Sequence, residues 1–458
     1  MIENDAFKLL LINLFHLNPD DITNIVCTTF NKMMVLLVTL ADKHQACPYC
    51  GFTAPKIKEY VTKEITHSAL TTQKCIIKYR ARRYKCPCCG KTYYEFNPFV
   101  FKSQKISILT VHNILKDLKD FNETFTSVAR RYHVSPTSVS TIFDNHVDIG
   151  RNPLPEIINF DEVYAFKSEK SKYVCVLLDF KKQIPVDVLP NRKKEYLLNY
   201  FQKIPLEERK KVKYACSDMY EVYRDVVHKV FPEAKHLLDY FHLSQDFHKK
   251  MNEVRIKVMK GYKDDKASNE YYLLKKFNWL LFKNPEDEDK YGRLFDVERE
   301  RKYNSHFKSY MNYYDLRKKL LEINNDLTIC YSLKLELVDF YSKSTIDNAK
   351  VNLENLIRSC IDTNIEEMIK FSNNLINWKQ EIINSFTIVG TEYKVEADKG
   401  QVVVCNKKVN NAIIENRNKI IKCIKNNANG YTNWSRFRNR VMYVLDPNAT
   451  FSLEPREK

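Results

Sequence analysis

A chain of 458 residues, 44% of them hydrophobic, has room for about two to four domains and a sizeable core. Its net charge of +17, with a pI near 9.1, is unusual for a cytosolic metabolic enzyme and points to a polyanionic partner; the bland alternative is an AT-rich genome that enriches Lys, Asn, Ile and Tyr. No apolar run reaches the roughly 18 uncharged residues that span a bilayer, the first residues lack the basic region of a signal peptide, and the 13 cysteines pair only at metal-ligand spacing, so the expectation is an intracellular protein with reduced thiols and no membrane partner.

Residues 1 to about 40 open with apolar residues at helical spacing (Phe7, Leu10, Leu11, Leu14) and continue into a β-rich run from Met33 to Leu40. Two knuckles follow, Cys47-Pro48-Tyr49-Cys50-Gly51 and Cys86-Pro87-Cys88-Cys89-Gly90. Four thiolates, Cys47, Cys50, Cys86 and Cys89, can surround one Zn²⁺ tetrahedrally, and each Gly permits the tight turn behind its knuckle. Cys88 can replace Cys86 or Cys89, though only the Cys86/Cys89 pair repeats the first knuckle's spacing. A four-thiolate site leaves no open position, so the zinc is expected to be structural. Between the knuckles, Lys78, Arg80, Arg82, Arg83 and Lys85 mostly alternate along a strand, either as phosphate contacts or as a solvated face.

A helix pattern runs from Ser107 to Phe121, and a second, short one has Val128, Ala129 and Tyr132 as its apolar face. Val134 and Ser135 form a turn; Ser135 can cap a third helix with Pro136 at its first position and Val139, Ile142 and Phe143 buried. This is helix-turn-helix grammar, with Thr137, Ser138 and Thr141 free to meet a DNA groove, unless it is a plain helical hairpin. After Pro153 and Pro155 the period changes. Strands are expected at 157–161, 173–180, 184–189, 212–217 and 235–239, with helices at 193–203 and 219–230. Three strands and then alternating helix and strand is the order of a ribonuclease-H-like sheet, in which the first and fourth strands lie parallel and adjacent, so that Asp161 and Asp218 end on one edge.

From about 243 to 400 the chain turns helical and charged, read as an all-helical insertion with its aromatics (Trp279, Tyr310, Tyr313) mostly in the core; 386–405 has β-hairpin character. A basic helix over 410–425 then carries Glu415. Two Asp and one Glu on such a sheet suit two-metal phosphoryl transfer, because Mg²⁺ or Mn²⁺ takes oxygen ligands and keeps positions for water and phosphate. Taken singly, each carboxylate is an ordinary cap or surface charge; their joint placement is the signal. The expected fold is multidomain α/β: a zinc-binding β-rich module (1–103), a helix-turn-helix (104–150), a ribonuclease-H-like catalytic core (151–242 and 401–458) and the insertion (243–400).

Several motifs together resemble bacterial insertion-sequence transposases of the ISL3 type, a DDE group related in its core to Mutator-like elements. They are Cys47-Pro48-x-Cys50-Gly51, Arg82-Arg83-Tyr84-x-Cys86-Pro87-x-Cys89 with Tyr94-Glu95, and the helix-turn-helix. Asp161-Glu162, Asp218-Met219, Asp239-x-x-His242, Glu415-x-x-Asn418, Lys422, Lys425, Gly430-Tyr431 and Phe437-Arg438-x-Arg440 extend the likeness nearly end to end. Where that family usually has Gly after its catalytic Glu, this chain has Asn416. The resemblance implies Asp161, Asp218 and Glu415 as the catalytic triad and Asp239 and His242 as accessory residues, with Glu162 and Asp179 as fallback carboxylates. Asn418, Lys422, Lys425 and Arg438 join Arg80, Arg82, Arg83, Thr137, Ser138 and Thr141 as DNA-contacting candidates. It further implies double-stranded DNA as partner (terminal inverted repeats and target), a homodimer on paired ends and a cytoplasmic, nucleoid-associated location. Two alternatives stay open, a transposase-derived regulator without strand chemistry and a ribonuclease-H-like junction nuclease.

Overall fold

The computed structural model describes residues 2–43, 46–70, 72–101, 104–166, 171–394 and 402–456. An opening helix, α1 (Ile2–Leu14), packs on a sheet of β1 (Ile22–Phe30), β2 (Met33–Leu40), β3 (Lys56–Thr66), β4 (Cys75–Lys85) and β5 (Thr92–Tyr94). The strand order is β1-β2-β4-β3, with β5 also on β4. Period-2 alternation in β4 turns Ile77, Tyr79 and Ala81 toward Leu11, Ile12 and Phe15 in one buried cluster.

Three helices follow, α2 (Ile108–Asp117), α3 (Phe125–Arg131) and α4 (Pro136–His146), capped by the side chains of Ser107, Thr124 and Ser135. Pro136 sits in the first turn of α4, as the sequence predicts. The tight turn between α3 and α4 needs His133 at φ +54°. Val111, Ile114, Val128, Val139 and Phe143 share one core. The unit is tied to the first module by His67 Nδ1 and Ser107 Oγ at 2.9 Å and by Ser68 Oγ donating to the Tyr132 carbonyl at 2.6 Å.

The central sheet comprises β6 (Ile157–Val163), β7 (Val174–Asp179), β8 (Pro185–Leu189), β9 (Tyr214–Ser217) and β10 (Lys235–Leu238), ordered β10-β9-β6-β7-β8. β10, β9 and β6 are parallel; β6, β7 and β8 are antiparallel. All five lie within a residue or two of their expected bounds. Residues of β6 to β8 are buried on both faces, hence their near-continuous apolar runs. One face is covered by α5 (Lys194–Gln202) and α7 (Glu221–Val230), with the short α6 (Leu206–Arg209) between them in the chain, through Phe160, Phe201 and Val226.

From β10 the chain passes into α8 (Tyr240–Lys260) and then α9 (Asn269–Lys276), α10 (Tyr313–Glu322), α11 (Asn325–Lys343), α12 (Ala349–Asp362), α13 (Glu366–Asn377) and α14 (Lys379–Asn384), all around one large core. The insertion is not all helical. Between α9 and α10 lie two hairpins, β11 (Glu288–Asp289) with β12 (Gly292–Arg293) and β13 (Lys302–Asn304) with β14 (Ser309–Met311). The charged run carries turn-forming residues, Gly292 at φ +97° and Lys308 at φ +50°, and few apolar positions at helical spacing, so strand pairing wins there. A further hairpin, β15 (Ile388–Lys394) with β16 (Val402–Lys408), crosses the expected boundary at 400; residues 395–401 of it lie outside the described set. The chain closes with α15 (Ala412–Asn427) and α16 (Trp434–Leu445), which cover the second face of the central sheet through Ile414, Ile421, Phe437 and Val441.

Candidate active site

Strand register decides the geometry of the site. In the parallel pair β6/β9, Asn159 is opposite Cys216, so Asp161 and Asp218, each two residues further on, leave the same edge side by side. In β9/β10, Ser217 is opposite Leu238, and the next residues, Asp218 and Asp239, are again neighbours. Three carboxylates from three adjacent parallel strands therefore line the edge where open α/β sheets build their sites. His242 follows in the first turn of α8, and Glu415 comes from the first turn of α15.

Asp161 is only 8% exposed. Its carboxylate accepts the Glu162 backbone N–H at 2.7 Å and the Asn418 side-chain amide, also at 2.7 Å. Asp239, 3% exposed, accepts the Asn411 backbone N–H at 3.3 Å and lies 3.8 Å from His242 Nε2. Asp239, His242 and Glu415 offer ligand atoms all within 4.8 Å of one another. Burial pushes Asp161 up to about 7, and the nearby charge of Asp218 adds to this against the Glu162 N–H bond. Burial likewise pushes Asp218 up to about 6, with the Glu162 charge in the same direction. Asp239 is raised too, again chiefly by burial. Among the described residues, Asp218 Oδ1, Asp239 Oδ2, His242 Nε2 and Asn418 Oδ1 are buried without a hydrogen-bond partner. Crowded, desolvated carboxylates with unused oxygens are a donor set that fits a divalent cation.

Sequence reasoning missed Asn411 and Arg192. Asn411 accepts from Asn159 Nδ2 at 2.7 Å and donates to the Phe160 carbonyl at 3.2 Å, locking the start of α15 onto β6. An Asn before a helix reads as an ordinary cap, so no local signal marked it. Arg192 pairs with Glu162 and lies 4.5 Å and 5.0 Å from the ring centres of Tyr173 and Tyr220. Glu162, one residue from Asp161, is committed to Arg192 and to the Tyr223 hydroxyl at 3.3 Å. Asp179 is excluded as a fallback ligand: it pairs in register with Ile158, toward the start of β6, and accepts the Lys181 and Lys182 N–H groups in a turn.

The second cluster is formed by Cys47, Cys50, Cys86 and Cys89. Cys47 Sγ is 3.7 Å from Cys89 Sγ, and Cys50 Sγ is 3.5 Å from Cys86 Sγ. Sulfurs on a tetrahedral zinc with bonds of about 2.3 Å sit about 3.8 Å apart, so the four sulfurs are compatible with Zn²⁺. The knuckles match bond for bond: Gly51 N–H donates to the Cys47 carbonyl and Gly90 N–H to the Cys86 carbonyl, at 2.8 and 2.9 Å. Both glycines have φ above +70°, a conformation that carries little penalty for glycine alone. Cys88 is exposed and stands outside the cluster.

A family model for ISL3-type DDE transposases, described as Transposase, matches residues 158–397, just over half of the sequence. The chain belongs to this family. It is also 19% identical over 410 residues to the transposase for insertion sequence element IS1001 of Bordetella parapertussis, covering 89% of this chain and 90% of that one. The transposase-family match contains Asp161, Asp218, Asp239 and His242, and ends before Glu415. The DNA-contact candidates of this transposase-family chain divide sharply. Arg80, Thr137, Thr141 and Lys422 are exposed and Ser138 partly so; Lys425 is half-buried over the Tyr164 ring at 5.3 Å. Arg83 is paired with Glu59 at 2.7 Å. Three others are held by partners within the chain. Arg82 holds Glu95 at 2.7 Å and the Leu40 carbonyl at 3.1 Å, Arg438 holds Asp187 and the Ile149 carbonyl, each at 2.7 Å, and Asn418 holds Asp161.

Proposed function

We propose that this protein binds the terminal inverted repeats of its own insertion element and carries out metal-dependent DNA strand cleavage and strand transfer, with Asp161, Asp218 and Glu415 as the catalytic carboxylates. The observation that carries this reading is the register of β6, β9 and β10, which sets Asp161, Asp218 and Asp239 in a row, with Glu415 brought against the Asp239 end of it. The strand order, three antiparallel strands followed by two parallel ones outside the first, supports reading the sheet as ribonuclease-H-like. When bound, two Mg²⁺ or Mn²⁺ ions supply the lowered pKa of the attacking water or 3′-hydroxyl and the stabilisation of the leaving oxygen. The chain's own residues orient the ligands: Asn418 fixes one oxygen of Asp161, and Asn411 fixes one oxygen of Asp239.

DNA reading belongs, in this proposal, to the zinc-bearing module and to the α3-turn-α4 unit as a helix-turn-helix, with Thr137, Ser138 and Thr141 on the groove-facing side of α4. Two copies act on paired ends in the bacterial cytoplasm, at the nucleoid. With a net charge of +17, end binding falls steeply with salt as counterions are released. The test is cleavage of labelled terminal-repeat DNA. Asp161→Ala, Asp218→Ala and Glu415→Ala abolish cutting in Mg²⁺ or Mn²⁺ and leave end binding nearly intact. Undiminished cutting in chelator rejects the reading, and undiminished cutting by Glu415→Ala rejects that residue's role.

A further inference from the structure

Beside the Asp161/Asp218 pair, the same edge carries a second group with different chemistry. Asp239 stands at the position just before α8 and His242 lies three residues on, so both fall on one face of the first turn. Asp239 Oδ2 and His242 Nε2 are 3.8 Å apart, too far for a hydrogen bond. Both atoms are buried and have no hydrogen-bond partner among the described residues. Glu415 brings a carboxylate oxygen within 4.8 Å of each. The other oxygen of Asp239 is held by the Asn411 N–H, so Oδ2 is kept facing His242 and Glu415. Two ligand atoms without hydrogen bonds, from a buried Asp and a His 3.8 Å apart and closed by a second carboxylate, are a set that fits one ion.

We propose that Asp239, His242 and Glu415 hold one divalent ion of their own, and that the imidazole makes this position take Mn²⁺ in preference to Mg²⁺. Mg²⁺ favours oxygen and keeps its waters, whereas imidazole suits first-row transition ions and carboxylates hold Mn²⁺ as well. His242 is thereby a metal ligand rather than a packed residue. The inference rests on the strand-cutting reading of the site and adds a ligand set and a metal preference to it.

The test is Mn²⁺ and Mg²⁺ binding to the full chain as purified, without DNA, followed by electron paramagnetic resonance of free Mn²⁺ and by calorimetry. Wild type takes up two Mn²⁺ per chain. His242→Ala takes up one, and its Mn²⁺/Mg²⁺ affinity ratio falls about tenfold or more, the scale on which a metal site responds to loss of a supporting group. His242→Asp, which keeps a ligand of oxygen type, restores the second equivalent but not the Mn²⁺ preference, and it guards against a merely unfolded alanine variant. Unchanged Mn²⁺ uptake and an unchanged ratio in a folded His242→Ala protein overturn the inference and leave strand cutting standing, with His242 then an ion-pair partner of Asp239. Normal DNA cutting by Asp161→Asn and Asp218→Asn overturns the strand-cutting reading instead, whatever the Mn²⁺ titration gives.

Discussion

Asp161 and Asp218 place charge where burial opposes it, and this has a signature in stability. Both are raised on folding, to about 7 and about 6 from an ordinary 3.8. Between those values the native state binds more protons than the unfolded chain. The stabilisation from the neutral forms is therefore complete below about 3.8 and is lost as pH rises through 6 to 7. Metal-stripped protein should show a midpoint that falls from pH 5 to pH 8 on this account. Added Mn²⁺ should restore it at pH 8 and have little effect at pH 5, where protons occupy the ligands. Differential scanning fluorimetry with and without metal reads this, and Asp161→Asn should flatten the pH dependence. Asn411 is the other residue with a clear expectation. Asn411→Ala deletes its side-chain bonds to Asn159 and to the Phe160 carbonyl in a buried setting, which costs about 1–3 kcal/mol, and it loosens the seat of Asp239 and Glu415. Denaturant titration should show that loss, and Mn²⁺ affinity should weaken with it.

At the scale of elements, β4 does two jobs. Its inner face holds the first module together, and its end delivers Cys86 to the four-cysteine cluster, where Tyr84, Tyr93, Cys47 and Cys86 form a small core of their own. Cys86→Ser should lose bound zinc and expose the β1–β5 sheet to hydrogen exchange, while protection of β6 to β10 persists because their core is separate. Metal analysis and exchange mass spectrometry check the two halves. Much of this was legible in advance: knuckle spacing names four ligands, and alternation names the strand between them. The same reasoning expected a helix over 410–425, and in α15 Ile414, Asn418, Ile421 and Ile424 form its buried face. It overreached in the insertion, where a polar run with turn residues makes hairpins and carries no periodic apolar signal of its own.

Across the whole molecule, the last helix joins the three-helix unit to the central sheet. Arg440, 1% exposed, donates to the Asp120 and Glu123 carbonyls at 2.8 Å each, and Tyr443 donates to the Leu115 carbonyl at 2.9 Å. Arg436 pairs with Asp144 at 2.6 Å. α16 thus packs on the sheet with one side and on α2 and α4 with the other. Arg440→Ala strips partners from two carbonyls and leaves a cavity, a loss of about 2 kcal/mol or more. Limited proteolysis should then cut between the three-helix unit and β6 sooner than in wild type, and coupled cleavage of terminal repeats should fall more than end binding does. Equal proteolysis rates would remove α16 from this coupling role.

The sequence by itself determined what depends on short-range pattern: the four cysteines, the Ser135 cap of α4, the five strands of the central sheet, and so the row of Asp161, Asp218 and Asp239, since counting along parallel strands puts their ends together. Tertiary structure alone decided which polar groups are spent and which are free. Asn418 meets Asp161 across 257 residues and Asn411 meets Phe160 across 251, and Arg82 and Arg438 are consumed by Glu95 and Asp187. The reason is physical. Period, capping and turn chemistry act within a few residues and are written locally, whereas a buried charge or amide takes whatever partner the packing of distant elements brings to it.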